Sequence, residues 1–270
     1  MPVDENGFLG AEILHWIKKH RNENQAWFDL CLKLNRLCHT ILPTFQIDNN
    51  NGQEVICATL FIRALGFYQA AIILAERGLI NEAKVILRSL FDVTFAHCAV
   101  AKSEDVMREY VNDDIHRRIH TFKKIKNNPI TFKRILTDDV KKEIDSLLAE
   151  LHEAKAKLKP KEITSRYLAD KAGLLDFYDT AYIYFSSTVH SGVRDLEQYL
   201  SLDEKGNIKE LMWGPSVTGL DSLLLTAFES MWLVVKSAVD LFSLSVGELE
   251  ALEESYRKLA NNISEEAKII

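Results

Sequence analysis

Asn81-Glu-Ala-Lys-Val-Ile-Leu-Arg88-Ser-Leu-Phe-Asp92-Val-Thr-Phe-Ala-His97-Cys-Ala-Val-Ala101 decides how this chain is read. Apart from Arg88 and Asp92, the heart of the stretch is apolar on every side, the pattern of a helix surrounded by other helices. The two charged residues stand four apart and share one helix face. Charged side chains are rarely buried without partners, so they are expected either to pair deep in the core or to line a cavity.

Upstream, Gln53 to Arg77 reads as a long helix stopped by Gly78, and the turn before Asn81 is short enough only for an antiparallel hairpin. Helices 53–77 and 81–101 are the expected central pair. Earlier still, 9–20 and 24–42 are amphipathic, and Pro43 with Asp48-Asn-Asn-Asn-Gly52 makes a loop. Downstream, Ser103 opens a polar helix to 126, broken by Asn127-Asn128-Pro129. Residues 138–158 form a charged outer helix with a thin stripe of Leu147, Leu148 and Leu151, closed by Pro160. Helix resumes over 164–190, running Thr164 to Ala172 and then Leu174 to His190, and Gly192 ends it. Residues 198–213 read as a small exposed hairpin around Asp203-Glu-Lys-Gly206-Asn. Ser216 or Thr218 caps a core helix at 217–245, and 247–268 is a charged terminal helix suited to a protein partner or a homodimer. The reading is therefore all-α: an antiparallel helical bundle of about seven or eight helices in one domain, 1–245, with one hairpin and a terminal helix over 246–270.

Composition agrees. The 270 residues are 47% apolar with 11 Gly and 5 Pro, scarce enough to favour long helices. A net charge of −6 gives no global case for nucleic acid, but it is unevenly spread. Residues 101–171 hold 17 Lys/Arg against 13 Asp/Glu, and residues 172–270 hold 7 against 16. Cys31, Cys38, Cys57 and Cys98 form no C-x-x-C pair and sit among apolar neighbours, as reduced core thiols do. The N-terminus lacks the pattern of a signal peptide, and the apolar runs 55–75 and 220–244 are interrupted by charged or polar residues. A cytoplasmic chain with no membrane contact is the expectation.

Four constellations could carry chemistry. Arg88 with Asp92 is either a structural ion pair or a phosphate clamp in which Asp92 orients the guanidinium fork. Tyr182-Ile-Tyr184-Phe-Ser186-Ser187-Thr-Val-His190-Ser191-Gly192-Val-Arg194 places Ser186 and His190 on one face, with His190 at the helix end near Arg194. A helix C-terminus raises an imidazole pKa toward proton transfer near neutrality, although such a His more often only caps carbonyls. Glu109, Asp113, His116 and His120 form a stripe containing a carboxylate-x-x-His spacing, but partner carboxylates are wanting, so a solvated polar face is preferred over a metal site. Arg117, Arg118, Lys123, Lys124, Lys126, Lys133 and Arg134 form a basic run interleaved with Phe122 and Phe132, a composition that can hold single-stranded RNA. Phosphate loops, zinc knuckles and dinucleotide fingerprints are absent, and no cofactor is expected.

Leu87-Arg88-Ser89-Leu90-Phe91-Asp92, preceded by Arg77-Gly78-x-x-Asn81-Glu82-Ala83, and the later Ser186-x-x-Val189-His190 resemble an uncharacterised family of bacterial all-helical proteins. That family shows an Arg-Ser-Leu-x-(Glu/Asp) core helix and a distal Ser-x-x-Val-His. The resemblance spans about residues 53–245, with Asp92 standing where the family usually has Glu. It implies that Arg88, Asp92 and His190 converge on a cavity. Proteins of this look have been likened to the HEPN helical ribonucleases, used as toxins and anti-phage effectors, but their Arg-x4–6-His motif is missing here, so the likeness is one of fold. Two functions emerge as expectations. One is a metal-independent RNA- or phosphodiester-cleaving effector with His190, Arg88, Asp92 and Ser186 in the catalytic set and Arg194, Arg117, Arg118, Lys123 and Lys124 holding substrate. The other is a non-catalytic interaction protein with a structural Arg-Asp-His core.

Overall fold

The long apolar helix begins at Asn51, whose side-chain oxygen accepts hydrogen bonds from the backbone N–H groups of Gln53 and Glu54. This cap satisfies two donors that a helix start leaves free. The helix, α3 (Gly52–Glu76), ends where Gly78 takes φ 71°. Only glycine fits there: an added Cβ would lie 2.6 Å from both Pro215 Cβ and Trp16 Cη2. After this turn α4 (Ile80–Lys102) runs back along α3, as the hairpin reading required.

A computed structural model describes residues 3–128, 136–189 and 193–266, the side chains of Ser187, Val189, Arg194 and 262–266 excepted. The chain enters through α1 (Ile13–Glu23) and α2 (Gln25–Ile41). Beyond α4 come α5 (Glu104–Asn127), α6 (Asp138–Leu158), α7 (Ser165–Ala172) and the single turn α8 (Leu175–Phe177). A π-helical turn, Tyr178–Tyr182, leads into α9 (Ile183–Val189) and α10 (Val193–Leu196). Strands β1 (Leu200–Leu202) and β2 (Ile208–Leu211) pair antiparallel, and α11 (Leu220–Leu241) and α12 (Leu249–Glu266) complete the chain. The all-α class with one small hairpin is as read.

The core lies where α4 is sandwiched by α3, α11 and α7. Phe61, Tyr68, Leu87, Phe91, Phe95 and Phe228 are fully buried there. Helices α3 and α11 are long and apolar enough to cross a membrane, and both contribute many residues to this cluster. The four cysteines are free and buried, and burial raises each thiol to about 12. A smaller cluster, Ile119, Leu136, Ile144, Leu148 and Leu151, joins α5 to α6. On α6 the buried stripe is thus Ile144, Leu148 and Leu151, with Leu147 only half-buried.

Two local readings are corrected. Neither Ser216 nor Thr218 caps α11: Gly219, at φ 77°, occupies the N-cap position. The break expected after Ala172 is present at Gly173, but the helix expected from Leu174 onward is interrupted by the π turn, which adds a residue to the repeat and rotates α9 relative to α8. The terminal helix packs inward, with Leu252 buried and Tyr256 stacked on Phe228 at 4.9 Å.

Candidate functional site

Asn81, Lys84, Arg88 and Asp92 succeed one another at helical spacing along the face of α4 toward residues 165–199. From Arg88, Nη1 donates to Asp92 Oδ2 at 2.5 Å, Nε donates to Ser186 Oγ at 3.0 Å, and Nη2 donates to the Tyr182 hydroxyl. The guanidinium also lies over the Tyr182 ring, 3.4 Å from its centroid. Asp92 turns its other oxygen to Ser165, which donates at 2.6 Å from the first turn of α7. Ser186 in turn donates to the Tyr182 carbonyl at 2.6 Å. The π turn makes this possible by bringing Tyr182 and Ser186, on consecutive turns, to the same guanidinium.

The pair is therefore not sunk in the core. Arg88 keeps 19% and Asp92 44% of its side-chain surface exposed, at the rim of the aromatic cluster formed by Phe91, Phe95, Phe177 and Tyr182. Arg88 and Asp92 meet Ser186, whereas the convergence expected was with His190. His190 lies outside the described residues, as do Ser191, Gly192, Phe132, Lys133 and Arg134. Arg194 belongs to α10, and its side chain is outside the described set.

Sequence reasoning assigned no role to Tyr182, Ser165 or Lys84. Tyr182 and Lys84 each stand four residues before a residue it did choose, Ser186 and Arg88, and that spacing was the available signal. Ser165 carried none, because only the packing of α7 on α4 brings it to Asp92. Burial lowers the Lys84 ammonium below its ordinary pKa, and Asp195 pulls in the opposite direction.

The α5 stripe ties down a strap, residues 160–167. His116 Nε2 meets the Pro160 carbonyl at 2.9 Å, and buried Asp113 accepts from the Ile163 backbone N–H at 3.1 Å. Glu109 accepts from Lys161 at 2.6 Å and from the Tyr167 hydroxyl. Those bonds hold the Glu109 carboxyl below its ordinary pKa, while the bond to Glu109 pushes the Tyr167 phenol up to about 12. The remaining oxygen of Asp113 accepts from Arg117 Nε at 2.6 Å. The stripe is thus neither a bare solvated face nor a set of free metal ligands, and among the described residues no group of three or more candidate ligands gathers.

Between α5, α6 and the strap opens a cleft of about 510 Å³, whose charged lining is Arg117, Lys123 and Lys155 against Asp113 and Glu162, with His116 and His120 beside them. Two of the expected substrate-binding residues, Arg117 and Lys123, line it. Lys124 and Arg118 are exposed on α5 outside it, Arg118 lying 6.0 Å from the Phe122 ring centroid. The strap connects the two places, since Ile163 borders the cleft and Ser165 bonds to Asp92.

No curated protein and no solved structure matches the chain. A family model described as "Family of unknown function (DUF5677)" matches residues 54–208, more than half of the sequence. That span includes Arg88, Asp92, Ser165, Tyr182, Ser186 and the whole strap. The expectation of an uncharacterised family is met: the chain belongs to the DUF5677 family of unknown function.

Proposed function

We propose that this chain is a bacterial, cytoplasmic, metal-independent RNA- or phosphodiester-cleaving effector of the toxin or phage-defence type. The observation that carries the reading is the continuity of the Arg88 cluster, along the 160–167 strap, with the cleft that Lys123, Lys155 and Arg117 line. A guanidinium has five N–H donors, and three protein side chains engage Arg88, which leaves donors for phosphate oxygens on its exposed edge. Asp92, Tyr182 and Ser186 fix the fork before substrate arrives, so little reorganisation is needed as charge develops on the phosphate. Arg117, Lys123 and Lys155 take the strand's backbone, with Arg118 and Lys124 further out, and Arg194 is assigned to substrate on sequence alone. His190, four residues beyond Ser186, is assigned proton transfer on sequence spacing. In the step envisaged, a ribose 2′-hydroxyl gives up its proton and attacks the adjacent phosphorus. The 5′-oxygen leaves with a proton, and a 2′,3′-cyclic phosphate remains.

The purified protein should cleave single-stranded RNA in EDTA and leave cyclic phosphate ends. His190→Ala should abolish cleavage, and Arg88→Lys should lower it more than a hundredfold. RNA left intact at high protein concentration would dispose of the proposal.

One observation favours a second reading, a non-catalytic interaction protein: Asp92, Ser186 and Tyr182 already engage all three nitrogens of Arg88, as in a structural knot. On that reading Arg88→Ala lowers stability and leaves RNA untouched in wild type and variant alike.

A further inference from the structure

Two cations stand on the α4 face toward residues 165–199, and they differ in what already holds them. Each of the three nitrogens of Arg88 donates to a side chain, one of them the Asp92 carboxylate at 2.5 Å, so its charge is already answered. Lys84, one turn earlier, is the reverse case. It is half-buried, and among the described residues it makes no hydrogen bond and no ion pair. Burial works against its charge, and Asp195 of α10 favours that charge through space, without an ion pair. Asn81, the next residue along the stripe, does not tether it: Nδ2 donates to the Tyr199 hydroxyl at 3.0 Å, and Oδ1 is buried with no donor. All three N–H donors of the ammonium are therefore free. A half-covered cation without a partner weakens a fold, as groups kept for a ligand do.

We propose, on the reading above that Arg88 meets a phosphate, that Lys84 holds the neighbouring phosphate of the same strand and is the stronger of the two contacts, so that the ligand of this face is a single-stranded polynucleotide. Spacing favours a strand over a lone phosphate. Residues four apart rise by about 6 Å along a helix, which sets the two cations roughly one nucleotide step apart. A free phosphate or a nucleoside monophosphate has one such group and leaves one cation unused. The line also continues. Asp92 bonds to Ser165, and the strap before it borders the cleft where Arg117, Lys123 and Lys155 meet further phosphates. Aromatic surface favours a nucleic acid over an acidic peptide. The Tyr199 hydroxyl is fixed on Asn81, one turn from Lys84, and Tyr199 stays 37% exposed, which offers a base a ring to stack on beside the phosphate.

The test is the affinity of a fluorescent 2′-O-methyl RNA strand for the full chain in EDTA, because that strand has no 2′-hydroxyl to attack and stays intact. Lys84→Met should weaken binding about tenfold and reduce its salt dependence by about one counterion, yet melt no lower than wild type, since it removes an unpaired, half-covered charge. Should it fail to fold, Lys84→Gln reads the same loss. Lys33→Met, which deletes an exposed charge on α2, should leave affinity and melting unchanged. Asp195→Asn should tighten binding, because that acid no longer competes with the phosphate for Lys84. Tyr199→Leu should weaken the strand about threefold relative to Tyr199→Phe, whereas inorganic polyphosphate, which has no bases, should bind the two alike. A structural Lys84 would instead make Lys84→Met and Asp195→Asn melt lower and leave affinity unmoved. A wild type that binds no strand at low salt, a Lys84→Met protein that binds like wild type, or polyglutamate competing as well as RNA would overturn the proposal. Cleavage of unmodified RNA is scored separately. RNA cut by a protein whose binding ignores Lys84→Met sinks this site alone, and a strand held through Lys84 but never cut sinks the cleavage reading alone.

Discussion

Tyr182 lies under Arg88, its hydroxyl accepting from Nη2 and its ring centroid 3.4 Å from the guanidinium carbon. One side chain thus satisfies a cation twice, through a charge-assisted hydrogen bond and through the negative face of its ring. Tyr182→Phe keeps the ring and deletes the acceptor, and should destabilise the fold by about 1–2 kcal/mol. Arg88→Ala removes the whole arrangement and should cost about 2–3 kcal/mol, less than a fully buried pair because Asp92 stays 44% exposed. Urea denaturation of the two variants measures both, and Arg88→Ala costing no more than Tyr182→Phe would refute the cation-centred account.

His97 gives the protein an acid-sensitive core. Its ring is fully buried, neither ring nitrogen has a hydrogen-bond partner among the described residues, and burial lowers its pKa to about 4. In the unfolded chain the imidazole takes a proton near pH 6.5, while in the folded chain it stays neutral until about pH 4. Stability is therefore whole above the unfolded value and falls as pH drops through this window, by on the order of 3 kcal/mol for the full difference. His20, lowered by burial as well, adds in the same direction. His97→Leu should flatten the slope of stability against pH between 6.5 and 4; an unchanged slope would show that other groups govern it.

Asp113 is a clamp on the strap. Its side chain is 4% exposed, and it accepts from both the Ile163 backbone and Arg117. Asp113→Ala leaves the Ile163 N–H without its acceptor, and should cost about 2 kcal/mol and raise amide hydrogen exchange across 160–167. Asp113→Asn keeps one acceptor oxygen and should recover part of the loss. Equal exchange in all three proteins would mean that the strap is held elsewhere.

Two glycines predict opposite signs. Gly78→Ala combines a left-handed φ with a Cβ 2.6 Å from Trp16 and Pro215, and should destabilise by more than about 2 kcal/mol. Gly66 lies in the middle of α3 with open space around an added Cβ, so Gly66→Ala should stabilise by about 0.5–1 kcal/mol. Thermal melts of the pair check both.

Much of the helical order was open to reading because its determinants are local. Ser103 caps α5 by accepting from the Val106 N–H, and Gly78 takes the left-handed turn that its place after a long apolar run implied. The site was half legible. Arg88 and Asp92 were found by being charged in an apolar helix, and Ser186 by its helix face, but the choice between a pair deep in the core and one at its rim stayed open. Whether a charge on α4 is buried depends on what α7 and α9 lay over it, and no periodicity records that. The π turn escaped for a related reason: Tyr178–Tyr182 holds neither Gly nor Pro, and the shift comes from packing Tyr178 and Tyr182 against Phe95.

Periodicity and punctuation in the chain were enough to make it a bundle of long helices with one hairpin, because hydrogen bonding and burial act there over a few residues. They also marked an arginine and an aspartate as one pair. Only the folded arrangement decided that Tyr182, Ser186 and Ser165 close around that pair, that the α5 stripe holds a strap, and that Tyr199, beside the hairpin, reaches Asn81 of α4. Those contacts join residues up to 118 positions apart, as Asn81 and Tyr199 do, and the packing of whole helices sets them.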